Sequence, residues 1–224
     1  MRVIVTGSRG LIGSEVSKHL EAQGHSVLSL DLALGHDLTD ESFVKAWFSR
    51  HPADALVNLF AINDHVAANL AKPDIFNISL ESLNDYMKIN VVALFSVCRE
   101  YARSNERGSI LNFSSTYGLV SPRPHLYRGG QKHVGYSASK GAVVQLTRHL
   151  AAHLAPAFRV NCIAPGGVEA SQGQVFKDDY AQLTPLGRMM RRDELNGLID
   201  YLISDESSYM TGAILSIDGG WTAW

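Results

Sequence analysis

The chain opens with a short apolar strand, Arg2-Val-Ile-Val-Thr6. It runs into Thr6-Gly7-Ser8-Arg9-Gly10-Leu11-Ile12-Gly13 and then into a helical pattern. A strand, a three-glycine turn and a helix in that order leave few folds open. Gly7 allows the tight turn, Gly10 lets backbone approach a pyrophosphate, and Gly13 lets the helix pack close to the sheet. The helix N-terminus then offers free N–H groups and the positive end of its dipole to an anion. Gly7, Ser8, Arg9, Gly10, Leu11, Ile12 and Gly13 are therefore the candidate cradle for a dinucleotide phosphate. A glycine-rich turn without a ligand is the plain alternative.

Short apolar runs and helical stretches alternate along the remaining sequence. Ser26–Leu30, Ala55–Phe60, Ser109–Phe113, Phe158–Ile163 and Ala213–Ile217 read as strands, most of them apolar on both faces. That pattern suits parallel strands covered on both sides by helices. Ile12, Val16 and Leu20 share one helix face, and Gly24 stops that helix. Thr39 or Asp40 caps a helix through Trp47 and Phe48. Helices are also expected over about 80–107, 135–154 and 193–204. The alternation predicts one doubly wound α/β domain over residues 1–224.

Composition narrows the function. With 46% apolar residues the chain can fill a core, so disorder is excluded. A net charge of −2 lacks the basic excess of a nucleic-acid binder. No apolar run approaches the roughly 20 residues of a membrane helix. Cys98 and Cys162 form no CxxC pair, and the N-terminus lacks the shape of a signal peptide. A cytoplasmic protein acting on a small molecule is the expectation. His149 and His153 lie four apart on one helix, but no third ligand is evident, so no metal is expected.

Two further positions carry chemistry. Asp31 ends the second strand, eighteen residues after Gly13. A carboxylate there can accept hydrogen bonds from an adenosine ribose and would repel a 2′-phosphate, which favours NAD over NADP. Arg9 pulls the other way, because a guanidinium in the loop suits a 2′-phosphate. Tyr136-Ser-Ala-Ser-Lys140 opens a helix, and residues four apart share a face. An adjacent ammonium stabilises phenolate and would make Tyr136 a usable acid or base. From the pair alone, an ordinary amphipathic helix explains both residues equally well.

With these residues in place, the sequence resembles the short-chain dehydrogenase/reductase family over nearly its whole length. The resemblance implies a Rossmann-type doubly wound parallel sheet and a catalytic set of Asn90, Ser115, Tyr136 and Lys140. Ser115 matches through Ser115-Thr-Tyr-Gly118 and would bind the substrate oxygen. Asn90 matches through Lys88-Ile-Asn-Val91 and would hold a water beside the lysine. Lys140 would also bind the nicotinamide ribose. The same resemblance places Asp37 and Leu38 near adenine, Asn58 near adenosine, and Pro165, Gly166 and Val168 along the nicotinamide. Leu186-Gly-Arg-Met, Ser208–Gly212 and Asp218-Gly-Gly220 resemble the family's C-terminal signature. The family forms homodimers and homotetramers, and its members use NAD or NADP.

The chain also departs from the family's pattern. Its glycines are spaced as in the extended, sugar-nucleotide-modifying branch. Asn58-Leu-Phe-Ala61 replaces the usual Asn-Asn-Ala-Gly, and Ala170 stands at a threonine position. Only five residues separate Asp31 from Asp37, so the third, edge strand and its helix are expected to be missing or reduced. The Ser115–Tyr136 separation is long, and its insert, Ser121–His133, holds Arg123, Arg128 and Lys132 and no acid. A basic loop beside the substrate suggests an anionic group there, with Arg123 and Arg128 as contacts. A solvated loop or a subunit contact is the alternative. Trp221 and Trp224 read as an apolar tail that docks on a neighbour. The expected activity is interconversion of a secondary alcohol and a ketone on a small polar or anionic, sugar-like substrate. The alternative is a sugar-nucleotide epimerase or dehydratase with tightly bound NAD, favoured by the glycine spacing and opposed by the short chain. A non-catalytic dinucleotide sensor would not need the Asn-Ser-Tyr-Lys set.

Overall fold

The computed structural model describes residues 1–63, 75–127 and 131–224. Six strands form one parallel sheet: β1 Arg2–Thr6, β2 Ser26–Leu30, β3 Ala55–Asn58, β4 Gly108–Phe113, β5 Phe158–Pro165 and β6 Ile214–Ile217. Their order is β2-β1-β3-β4-β5-β6. The chain therefore leaves β1 in one direction and returns past it in the other. This reversal opens a crevice at the carboxyl ends of the strands, where open α/β sheets bind ligands.

Alternate residues along each strand enter different cores. Ile4, Leu56, Ile110 and Val160 pack under the helices α2 (Glu41–Phe48), α4 (Leu94–Arg103) and α5 (Val134–Leu154). Val3, Val5, Ala55, Val57, Leu111 and Ile163 pack under α1 (Leu11–Ala22) and α7 (Asn196–Ile203). Coverage on both faces explains why these strands read as unbroken apolar runs. The sequence reading of a doubly wound sheet holds.

The sheet stops at β2, as the short Asp31–Asp37 interval predicts. Asp31 caps a single 3₁₀ turn, Leu32–Leu34, and Gly35 closes it with φ of +81°. Asp40 then caps α2 by accepting from the N–H groups of Ser42 and Phe43. The expected helix at 80–107 is shorter and less regular. α3 covers Leu80–Met87, a π-helical stretch follows at Lys88–Ala93, and α4 ends at Arg103. π-stretches of this kind often mark functional positions, and Asn90 lies within this one. No described helix is long and apolar enough to cross a membrane.

One buried polar row crosses the sheet. Thr6, Asn58 and Asn112 are in register on neighbouring strands. Thr6 Oγ1 donates to Asn58 Oδ1 at 3.2 Å, and Asn58 Nδ2 donates to Asn112 Oδ1 at 3.0 Å. Asn112 Nδ2 reaches Thr147 Oγ1 on α5 at 3.1 Å. The row fixes α5 against β4, just below the end of the strand. Asn112→Ala removes an acceptor from the Asn58 amide and a donor from Thr147 Oγ1 inside the core, and leaves a void where its side chain was. The expected loss is about 2–3 kcal/mol of unfolding free energy. Urea denaturation measures it; a loss under about 0.5 kcal/mol would show that the row is not a stabilising element.

Candidate active site

The glycine turn has the shape its sequence demands. Gly7 has φ of +67°, and a Cβ there would meet Phe60 N at 2.6 Å. A Cβ on Gly13 would fall 2.0 Å from the carbonyl oxygen of Gly7. No other residue fits at either position. Gly10 N–H donates to Gly7 O at 3.0 Å and closes the turn. Leu11 and Ile12 continue it into α1. Ser8 is 2% exposed, and its hydroxyl has no partner among the described residues. A buried hydroxyl left open beside a glycine cradle fits a phosphate-bearing ligand.

Asp31 ties this loop to β2. One carboxylate oxygen accepts from Arg9 N–H at 2.9 Å and the other from Ala33 N–H at 2.8 Å. A carboxylate has about four acceptor sites, so ribose hydroxyls still find room. The Arg9 side chain is exposed. Asp37 accepts from the hydroxyl and the N–H of Thr39, and these bonds hold its carboxyl below its ordinary pKa. Leu38 points into the core, which leaves only its backbone to a ligand. Asn58 likewise spends its side chain inside the polar row.

Four elements bring the remaining residues together. Ser115 follows β4 and is 7% exposed; its Oγ accepts from Tyr117 N–H at 3.1 Å. Three residues after Ser115, Gly118 lies against α5, where a Cβ would meet Lys140 O at 2.6 Å. That close approach explains the glycine of Ser-x-x-Gly. Tyr136 and Lys140 stand near the start of α5, 9% and 6% exposed. His133 caps this helix by accepting from Gly135 N–H at 3.0 Å. Asn90 accepts from Ile62 N–H at 2.9 Å and donates to Ile62 O and to Ser139 Oγ. It therefore joins the π-stretch to the loop after β3 and to α5.

The electrostatics differ from the sequence expectation. Burial pushes the Tyr136 phenol above its ordinary pKa, and its hydrogen bond with Ser115 works in the other direction. The Lys140 ammonium lies 5.9 Å from the Tyr136 ring centroid and donates to Phe113 O at 2.8 Å. Burial lowers its pKa from 10.5 to about 8, opposed by Cys162 nearby. The expected side-by-side pair is present, but burial decides the direction in which the phenol shifts.

The segment after β5 borders a cavity of about 270 Å³, lined by Gly166, Gly167, Tyr180, Met190, Ile217 and Asp218 among others. Gly166 N–H donates to Ile217 O at 3.0 Å, and Val168 bridges Met190. Tyr136 does not line this cavity, which lies on the β5–β6 side. Pro165 ends β5 and is buried.

Sequence reasoning missed an aromatic wall. Tyr127 Oη donates to Tyr117 Oη at 3.0 Å, and burial raises the pKa of both phenols, with Tyr136 near enough to add to each shift. Tyr117 meets Trp221 edge-on, and Trp221 stacks on Tyr180 at 4.4 Å. Trp221 is 2% exposed and is therefore a core residue of its own chain, not part of an exposed tail. Trp224 is 71% exposed, with its indole N–H on Leu183 O. Tyr180 is buried and accepts from Gly167 N–H at 2.6 Å. The insertion turns Leu126 and Tyr127 inward and leaves Arg123 exposed. Arg128 lies outside the described residues. His149 and His153 are exposed and stacked, and no group of three metal-ligating side chains exists among the described residues.

Known proteins are similar to this chain in sequence and fold. Residues 3–222 match a family model described as enoyl-(acyl carrier protein) reductase. Galactitol 2-dehydrogenase (L-tagatose-forming) of Cereibacter sphaeroides is 31% identical, over 98% of this chain and 94% of that one. Cis-4-hydroxycyclohexanecarboxylate dehydrogenase of Sinomonas cyclohexanicum is 29% identical, over 98% and 96%. The NAD⁺-bound short-chain dehydrogenase of Leptospira borgpetersenii superposes with a TM-score of 0.89 at 28% identity, over 99% of this chain and 92% of that one. With the glycine cradle and the Ser115–Tyr136–Lys140 cluster at one end of the sheet, the chain belongs to the short-chain dehydrogenase/reductase family, a family of NAD(P)-dependent oxidoreductases.

Proposed function

We propose that this protein interconverts a secondary alcohol and a ketone with NAD or NADP, using Tyr136 as general acid and base. The observation that carries the reading is a buried phenol beside Ser115, one helical turn from Lys140, at the edge that holds the glycine cradle. The cradle residues Gly7 to Gly13, with Ser8, would hold the pyrophosphate and Asp31 the adenosine ribose. Asp37, the backbone of Leu38 and Asn58 would border the adenine end. Pro165, Gly166 and Val168 would border the nicotinamide. When bound, the nicotinamide exchanges a hydride with the carbinol carbon.

The chain's own residues manage the proton. Ser115 donates to the reacting oxygen and orients it. Tyr136 takes the hydroxyl proton during oxidation and returns it during reduction. Lys140 supplies positive charge to the developing phenolate, and Asn90 keeps the loop after β3 and α5 in place. The substrate side is walled by Tyr117 and Tyr127, whose phenols suit a hydroxyl-bearing molecule. Arg123, on the rim, and Arg128 would meet an anionic group. The galactitol and hydroxycyclohexanecarboxylate relatives support a small polar or anionic, sugar-like substrate. Residues 1–224 would act as one catalytic domain. The free, buried Cys98 and Cys162 suit a reducing cytoplasm. A groove of about 450 Å³ along α4 and α5, lined by Phe95, Arg99 and Leu150, suits subunit contact in a homodimer or homotetramer.

A panel of polyols, sugar acids and nucleotide sugars, each offered with NAD and NADP, tests the reading by absorbance of reduced nicotinamide. Net reduction supports it. Product without net nicotinamide change would instead support the epimerase or dehydratase that the glycine spacing favours. Tyr136→Phe is expected to lose about 10²–10⁴-fold in turnover and keep cofactor affinity. Asp31→Ala is expected to weaken NAD binding and narrow the preference over NADP; an unchanged ratio of the two dissociation constants removes Asp31 from cofactor selection. Lys140 carries a stability signature as well. Below about pH 8 it is charged both folded and unfolded, and the burial penalty is present in full. Between about pH 8 and 10.5 the folded state releases the proton first, so stability rises with pH. Lys140→Met is therefore expected to be more stable than the parent at pH 7, by on the order of 2 kcal/mol. Its advantage should shrink towards pH 10; a constant gap in thermal melts would contradict a buried charge.

A further inference from the structure

We propose that Lys132 is a second cation of the reaction centre, a positioning residue that readies the Tyr136 phenol to lose its proton. The inference rests on the reading of Tyr136 as acid and base. Lys132 sits near the end of the long segment between Ser115 and Tyr136. Its ammonium lies 4.4 Å from the Tyr136 ring centroid, nearer than the Lys140 ammonium at 5.9 Å. It also donates to Asn63 Oδ1, in the loop after β3. That loop is itself anchored, because Asn90 grips both main-chain groups of Ile62. The ammonium is thus held between Asn63, next to the anchored Ile62, and the phenol.

An ammonium is attracted by the face of a neutral phenol ring. It is attracted more strongly by the phenolate and so favours ionisation. The charged and titratable groups around Tyr136 come from every element packed on it. Lys140 lies on α5, and Tyr117 lies on the turn after β4 beside Ser115. Tyr127 and Lys132 lie on the insertion. Tyr86 of α3 meets the ring edge-on, and His133 stacks on the Tyr86 ring at 4.5 Å. Both ammonium groups favour the phenolate, against burial. In the oxidation step the substrate O–H bond breaks and its proton joins the Tyr136 phenolate oxygen. A bound oxidised nicotinamide would take up the carbinol hydride, and Lys132 neither gains nor loses a proton.

The test compares the parent with Lys132→Met, Lys132→Arg and Tyr136→Phe. The first readout is the pH profile of kcat/KM on the best neutral polyol. The second, on cofactor-free protein, is ultraviolet titration of tyrosinate, with Tyr136 isolated as the difference from Tyr136→Phe. In Lys132→Met the limb reporting Tyr136 and its titration should both move up by about one pH unit or more. Lys132→Arg should restore both, with KM for the neutral substrate little changed. An unmoved profile and titration in Lys132→Met overturn the proposal. So does a rise in KM confined to anionic substrates with the profile unmoved, which would make Lys132 a substrate contact. Retained turnover in Tyr136→Phe would instead sink the acid–base reading, while the cofactor-free titration still reports whether Lys132 acts on the phenol.

Discussion

The Lys140 ammonium, 6% exposed and donating to the carbonyl of Phe113, is the interaction around which the proposed reaction centre is assembled. A buried cation is tolerated only where its surroundings are built to hold it. Here the last turn of β4 supplies the acceptor, and Ser114 Oγ donates to the Lys140 carbonyl at 2.7 Å from the same strand end. Gly118 brings the following turn against the helix where any side chain would collide. Strand end, turn and helix are thereby locked to one another. Ser115 and Tyr136 take their positions from that lock.

Burial sets the terms for the chemistry. The surroundings that restrain Tyr136 and exclude water also make its ionised form costly, so positive charge must be brought to it. One cation comes from α5, at the helical spacing that the motif advertises. A second comes from the insertion, whose lengthened path places Lys132 over the ring. The aromatic wall of Tyr117, Tyr127, Tyr180 and Trp221 completes the enclosure with phenols and an indole.

The parts legible in the sequence were those fixed by local geometry. Gly7 and Gly13 are forced by contacts within a few residues or with the adjoining strand end, so their spacing carried the meaning. The missing edge strand was readable because five residues between Asp31 and Asp37 cannot hold a helix and a strand. Tyr136 and Lys140 were readable because one helix presents both. Residues whose role depends on distant partners were not. Trp221 looks like part of a free tail until Tyr180 and Tyr117 are folded against it. Tyr127 lies in a segment read for its basic residues, yet its phenol and Leu126 are what turn inward. The phenol's raised pKa escaped notice because spacing reveals a neighbouring charge but not the desolvation that opposes it.

The abrupt end of the sheet at β2 has an engineering consequence. The main-chain bonds of the 32–36 turn are local to it: Leu34 to Asp31, Gly35 to Leu32 and His36 to Asp31. No ladder runs through this turn, so extra residues grafted there would leave every strand pairing untouched. The rim of the nucleotide crevice is thus a modular port, where a longer loop could be spliced in to retune which dinucleotide the scaffold accepts.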